Sequence, residues 1–303
     1  TQSAIAHPEN KALLRSEILA CQKISENRDG KQIYCYHHQV NSSIMREIGR
    51  LREESFRLVG EGTGERRDVD IYDNAYVHIL LWDDKALELI GAYRLFTTNN
   101  LDLVNVQQQL YSASLFDYHS TMTPYLASGI ELGRSFIQPQ YWGTRSLEYL
   151  WQGIMEYIIQ HSGSRYLFGT VSISNSYSQS AKELLVYYYQ HFYGNNHKVA
   201  SANMPFRLSE QVRLRLTDLF ADSNAEEGMV ILKAQLNHMG FSVPTLFKQY
   251  TKLCNPGGAQ LFDFNIDPNF NHCIDGLIVL DLTQFTEKNK KRFNAHALQL
   301  KHA

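Results

Sequence analysis

At 303 residues, 44% hydrophobic and 20% charged, the chain has an ordinary globular composition with enough apolar content for a substantial core. A net charge of −2 leaves no electrostatic footprint for nucleic acid, and the short basic run at Glu287–Phe293 reads as a solvated helix face. No apolar run approaches the ~18 residues of a membrane span, and no signal-peptide pattern opens the chain.

The 4 cysteines contain no C-x-x-C pair and suit a reducing compartment, so a cytoplasmic location is expected. The 12 histidines form no H-E-x-x-H motif and no Cys/His cluster at ligand spacing, so no metal is expected. The first residue is Thr1, as in a piece of a longer protein or a processed product.

Apolar residues at about 3.6 spacing predict a helix over 10–24, followed by a strand in "KQIYCYHH". Cap-type residues at Asn41–Ser43 open a second helix, with Ile44, Ile48, Leu51, Ser55 and Leu58 on one face, closing near Gly60. The glycine-rich Gly60–Arg67 follows a helix rather than a strand, so a dinucleotide fingerprint lacks its context and a flexible loop is expected. "AYVHILLWDD" and "LIGAYRLF" read as a hairpin. The stretch 99–128 is weakly patterned. Then come a strand over Gly129–Ile137, a loop to Arg145, and a core-facing helix with Leu147, Leu150, Trp151, Ile154 and Ile158 in one stripe.

"RYLFGTVSIS" reads as a buried strand, and "SQSAKELLVYYYQHFYG" as a helix whose tyrosines serve packing. Beyond a polar stretch after Lys198, a helical run breaks before Pro244, and "AQLFDFNID" and "CIDGLIVLDL" close the chain as strands. The expected organisation is a helix and strand in 1–40, a core in 41–198, and a 199–303 segment completing the same α/β domain.

Glu131 and Arg134 stand inside the predicted strand Gly129–Ile137. Buried charges there cost several kcal/mol unless paired or used. A regular strand would aim them at opposite faces. A bulge seated at Gly133 would bring them together.

Four separated pieces carry a resemblance: "LREESF" (Leu51–Phe56), "DVDIYDNAYVHILLWDD" (Asp68–Asp84), "GAYRLF" (Gly91–Phe96) and "IELGRSFIQPQY" (Ile130–Tyr141). In order and spacing, over roughly residues 40–285, the chain resembles GNAT-like N-acyltransferases. That group includes acyl-homoserine-lactone synthases and the ornithine-lipid N-acyltransferases, which often carry a "hemolysin" label. The resemblance implies a GNAT-like mixed twisted sheet flanked by helices. It also implies transfer of a long, in some cases 3-hydroxylated, acyl chain from an acyl-carrier-protein thioester to an amino acid's α-amine. That reaction opens ornithine- or glycine-type aminolipid synthesis. The donor is a substrate, acyl carrier protein or else coenzyme A, and no tightly bound cofactor is implied. A single-chain aminolipid product implies peripheral contact with the inner membrane face. Fusion to a second acyltransferase domain is a further expectation.

By the same resemblance Glu131 is the candidate base or amine-orienting carboxylate, with Arg94 and Arg134 as its ion-pair partners or as a fork for a substrate carboxylate. Arg52, Asp70 and Asp73 would grip the amino acid, and Phe56 would line the acyl channel. Gln140, Gly143, Thr144 and Arg145 match the donor loop Q/R-x-x-G-x-G/A, with Arg145 replacing a small residue. That replacement puts the close backbone approach to a diphosphate in doubt and favours the single phosphodiester of a carrier protein. Ser172 and Ser174 would border the pantetheine slot, and Asp263, Asp267, Asp275, Asn265 and Asn271 would shape the acceptor pocket. Two rival readings remain open: a homoserine-lactone-type signal synthase, and a non-catalytic acyl-binding module.

Overall fold

The computed structural model describes residues 2–99, 101, 103–161, 163–195 and 197–295. The N-terminal elements are α1 (Lys11–Leu19), β1 (Gln22–Glu26), β2 (Gln32–His37), α2 (Ser43–Leu58), β3 (Val77–Asp83) and β4 (Glu88–Thr97). The middle adds α3 (Leu103–Gln109), β5 (Phe116–Tyr118), α4 (Thr123–Ala127), β6 (Gly129–Ile137), α5 (Ser146–His161), β7 (Tyr166–Ile173) and α6 (Gln179–Tyr193). The remainder is β8 (Ala200–Ala202), α7 (Glu210–Phe220), α8 (Ala225–His238), α9 (Thr245–Thr251), β9 (Ala259–Asp267), β10 (Cys273–Asp281) and α10 (Glu287–Arg292). No helix among the described residues is long and apolar enough to cross a membrane.

Eight strands form one sheet in the order β1-β2-β3-β4-β6-β7-β10-β9, antiparallel except for the β6–β7 pair. Side-chain alternation sorts the core between its faces. Ile79, Leu81, Ile130 and Leu132 pack with Leu150, Trp151 and Ile154 of α5 on one face. Leu80, Trp82 and Ala92 meet Ile44, Ile48 and Leu51 of α2 on the other. Strand β6 and helix α5 have the bounds their patterns predict. The first helix is shorter than expected, because residues 22–26 pair with β2 as a largely exposed edge strand.

Two distortions shape the sheet's centre. Opposite Tyr93 of β4, strand β6 carries the extra pair Arg134 and Ser135, since Ala92 pairs with Phe136 while Arg94 pairs with Gly133. The seat of this bulge is Arg134, in left-handed backbone at φ 47, not the expected Gly133. Such a conformation costs a non-glycine residue about 1–3 kcal/mol, so its surroundings must hold it. The bulge inverts β6's alternation: Ile130 and Leu132 face α5, whereas Phe136 joins the α2 side.

The second distortion is a parting of β6 from β7. Their parallel ladder covers only Gly129–Tyr166, Ile130–Leu167 and Glu131–Phe168. Just beyond, Gly169 passes so close to β6 that a Cβ there would sit 2.1 Å from the Leu132 carbonyl oxygen. Past that point the strands diverge around a slot lined by Leu132, Thr170, Tyr250 and Ile278.

Candidate active site

The bulge places Arg134 on the α2 side with Glu131, so the two meet around one residue, Tyr111. The Tyr111 ring lies 4.6 Å from the Arg134 guanidinium and 5.2 Å from that of Arg94, and its hydroxyl donates to Asp267 at 2.9 Å. Phe270 stacks on Arg134 from another side at 4.6 Å, and the half-buried Phe56 packs edge-on against Phe270. These aromatic contacts secure the strained Arg134 backbone.

Three arginines here face three aspartates. Asp70 caps the short helix Ile71–Asn74 in a reciprocal capping box with Asp73, which fixes both carboxylates. Arg94 donates to Asp70 at 2.6 and 2.9 Å and to Asp73 at 2.9 Å, and Arg52 donates to Asp73 at 2.8 Å. Arg134 lies 3.0 Å from Asp68 and 3.6 Å from Asp70, but its Nε–H is not aimed at Asp68, whose carboxylate oxygens accept no hydrogen bond. Burial raises Asp73, yet Arg52 and Arg94 outweigh it and hold the carboxyl well below the usual range. Asp68 lacks aligned donors, and burial leaves it raised. Burial and then the Arg52 charge push His78 down to about 3. Since Arg52 can only donate to His78 Nδ1, Nε2 carries the proton, directed at the Asp73 carbonyl 3.1 Å away.

This cluster changes the assignment of partners. Arg94 and Arg134 pair with aspartates and not with Glu131. Arg52, Arg94 and Asp73 are fully buried and pair with one another, although the Nε–H of each arginine finds no acceptor among the described residues, and this places Arg52 and Asp73 beneath the site. Asp70 and Arg134 retain exposure, with 24% and 10% of their side chains accessible.

Glu131 is 2% exposed and receives four donors. These are the Tyr76 hydroxyl, the Ser112 hydroxyl, the Ser112 N–H at 2.8 Å and the Tyr111 N–H at 3.2 Å. Burial raises its carboxyl while the Ser112 and Tyr76 hydroxyls oppose the shift. A carboxylate so occupied has no lone pair left for a substrate ammonium. It fixes the segment carrying Tyr111, a residue that weak patterning had hidden.

The expected donor loop sits at the start of α5. Gly143 turns in left-handed backbone at φ 76, and the Thr144 hydroxyl donates to the Tyr141 carbonyl at 2.6 Å. Gln140 is exposed and donates to Glu88 at 2.9 Å. Arg145 opens a cleft of about 380 Å³, where Arg145, Lys252 and Arg292 face the single carboxylate Glu148. Ser172 lies away from this cleft. It stands on β7, on the sheet face that carries Glu131, where it opposes the rise of the Glu61 carboxyl.

Glu61 belongs to the loop expected to be flexible. The structure ties that loop down: the Glu53 carboxylate accepts from the Thr63 N–H and hydroxyl and from the Gly64 N–H. Asn271 donates to the Gly60 carbonyl at 2.8 Å. Left-handed Gly60 and Gly62 (φ 79 and 101) turn the chain so that the Glu61 side chain is buried. Asp275 on β10 pairs in register with Ser172, and Asp267 on β9 with Cys273, which brings further carboxyls beside Glu61. Asp263 lies elsewhere, bound to Arg207 at 2.7 Å, and Asn265 accepts from the Met204 N–H.

The mixed sheet with its parted strands and central bulge is GNAT-like, and residues 51–152 match the family described as "Acetyltransferase (GNAT) domain". The chain is similar to amino-acid N(alpha)-acyltransferases. It is 26% identical to a glycine N(alpha)-acyltransferase of Phocaeicola vulgatus, over 95% of this chain and 91% of that one. It is 29% identical to the Bacteroides thetaiotaomicron protein of the same name, over 95% and 88%. An L-ornithine N(alpha)-acyltransferase of Agrobacterium fabrum is 33% identical over 37% of this chain and 39% of its own. Among solved structures, a CoA-dependent acyl-homoserine lactone synthase aligns at a TM-score of 0.33 and 16% identity, over 62% of this chain and 89% of that one.

Proposed function

We propose that this chain is an N-acyltransferase that moves a long fatty acyl group from a carrier-protein thioester to the α-amine of an amino acid. The observation that carries the reading is the convergence of Arg94, Arg134, Asp70 and Tyr111 on one face of the sheet, where β6 and β7 part. Similarity to glycine N(alpha)-acyltransferases over nearly the whole chain favours a small amino acid as acceptor. On this reading the donor's pantetheine runs along the gap between β6 and β7. The acyl carbonyl sits at the bulge, and backbone N–H groups of β6 past Glu131 stabilise the oxyanion. Arg134 and Asp70 meet the acceptor, and Phe56 and Phe270 border the acyl chain. The product is a single-chain aminolipid that partitions into a membrane face.

The basic cleft at the start of α5 suits the phosphodiester and acidic surface of an acyl carrier protein. Charge reversal there, Arg145→Glu with Lys252→Glu, is expected to raise the KM for acyl carrier protein about tenfold or more. The KM for the amino acid and the melting temperature should not change. Steady-state kinetics at two salt concentrations check this, and an unchanged donor KM contradicts the docking assignment.

Lipid mass spectrometry of cells making the chain tests the function as a whole. N-acylated amino acids absent from empty-vector cells are expected. Their absence, or acylation only of an adenosylated amino acid by the purified protein, contradicts the reading.

A further inference from the structure

Across the gap from Glu131, a second group of acids stands on the same sheet face and is served by almost no donors. Glu61 is 8% exposed and Asp275 is 4% exposed. Ser172 opposes the rise of the Glu61 carboxyl, and among the described residues the one hydrogen bond to Asp275 is from the Cys273 thiol at 3.7 Å. The other buried acids nearby have stronger partners, except Asp68, whose oxygens accept no hydrogen bond although Arg134 lies 3.0 Å away. Asp70 and Asp73 hold guanidinium groups, Glu131 has four donors, and Asp267 holds the Tyr111 hydroxyl and the Asn269 N–H. Two carboxyls buried with so little compensation mark a site that a cationic ligand completes.

The surroundings say which cation fits. Glu61 is faced by Arg134 from β6, by Asp275 and Cys273 from β10, by Ser172 from β7 and by Tyr177 just beyond it. On the other side of the loop, Glu53 is held by Arg57, Thr63 and Gly64. Among the described residues Arg134 is the guanidinium that acts on both Glu61 and Asp275, and it lies 3.0 Å from Asp68 and 3.6 Å from Asp70. Acids on one side and an anchored guanidinium on the other match a zwitterion whose ammonium and carboxylate are one carbon apart.

We infer that Glu61 is the proton acceptor for the incoming amine and Asp275 the carboxyl that accepts a hydrogen bond from its ammonium, with Arg134 taking the acceptor carboxylate. This rests on the acylation reading above and adds two residues to it. In the step, the Glu61 carboxylate takes one proton from the ammonium. The freed lone pair forms the C–N bond at the thioester carbonyl and the C–S bond breaks. The remaining surplus N–H proton goes to the departing thiolate, and Glu61 returns its proton to solvent. Burial raises Glu61 to about 7, and burial with the Asp267 and Glu61 charges raises Asp275 well above the carboxylate range. A base titrating near neutrality is suited to this transfer.

The test is steady-state acylation of glycine and of ornithine by the full chain with an acyl-carrier-protein donor, across pH. Glu61→Gln is expected to lower kcat about 100-fold or more and to abolish the acidic limb of the kcat profile, with the donor KM unchanged. Asp275→Asn is expected to raise the amino-acid KM about tenfold while the donor KM stays fixed. Both variants should melt at or above the wild-type temperature at pH 8. An acid raised in the folded state costs stability as pH rises above its unfolded pKa, so neutralising it relieves that cost. Wild-type acylation together with a Glu61→Gln protein of undiminished kcat and unaltered pH profile overturns this inference alone. A wild-type protein that acylates no amino acid overturns the functional reading and this inference with it. A large drop in melting temperature for both variants would show that the acids are structural and also overturns it.

Discussion

Asp73→Asn is expected to destabilise the fold by about 3–5 kcal/mol, the cost of removing one partner from a buried ion pair. Asp73 is the carboxylate that Arg52 holds, and it shares Arg94 with Asp70. Its loss therefore strands the Arg52 charge where no water reaches it. Asp68→Asn is the contrast. Asp68 accepts no hydrogen bond and is already raised by burial, so its replacement is expected to cost less than Asp73→Asn. Denaturant midpoints at constant m-value measure both.

The pH dependence follows from the same cluster. Asp73 is depressed on folding, so its contribution is present above its ordinary value of 3.8 and lost as pH falls through the folded value. His78 falls from 6.5 to about 3, so the unfolded chain takes up a proton that the folded chain refuses between those values. The His78 contribution should decline from near pH 6.5 downward, by up to about 1.4 kcal/mol for each pH step of one, while the raised Glu61 and Asp275 act in the opposite sense. Asp73→Asn should keep the His78 limb and lose the steeper loss below pH 4. A loss under about 1 kcal/mol at pH 7 would show that the cluster does not hold the fold.

Glu131→Gln is the second large effect, and it separates positioning from proton transfer. A glutamine amide presents a donor to groups that are themselves donors, leaving one of them unsatisfied at about 1–3 kcal/mol. The segment carrying Tyr111 then loses its anchor, and with it the ring beneath Arg94 and Arg134. The account expects the amino-acid KM to rise about tenfold and kcat to fall about 100-fold, while the acidic limb of the pH profile survives. Loss of that limb would return the role of base to Glu131, and full turnover would remove it from the site altogether. Acylation rates against pH for this variant and wild type decide between them.

What the sequence revealed and what it hid divide along physical lines. Strand β6 and helix α5 were legible to the residue because their apolar periodicities are strong and local. Glu131 and Arg134 were legible as charges inside a strand, which few uses of a strand explain, whereas Arg94, Asp70 and Asp73 stood out only through the family resemblance. Their pairing was not, because the choice of aspartates over Glu131 depends on where the short helix Ile71–Asn74 docks. The bulge was foreseen but misplaced. Glycine is the residue that left-handed backbone favours, and only the rings of Tyr111 and Phe270 make Arg134 tenable there. Gly60–Arg67 looked mobile because its glycines suggest freedom, while the carboxylate that fixes it, Glu53, belongs to the preceding helix. Helix α7 lay unread in a polar stretch because only Leu216 and Phe220 bury fully. Glu61 and Asp275 stand far apart in the chain and share no local spacing, so only the sheet register brings them together.

The most direct measurement is free-thiol release from an acyl-carrier-protein thioester by the purified chain, with and without glycine or ornithine. The account predicts release that depends on the amino acid and matches the amide formed mole for mole. Release at the same rate without any amine, or none with either amino acid, would contradict it.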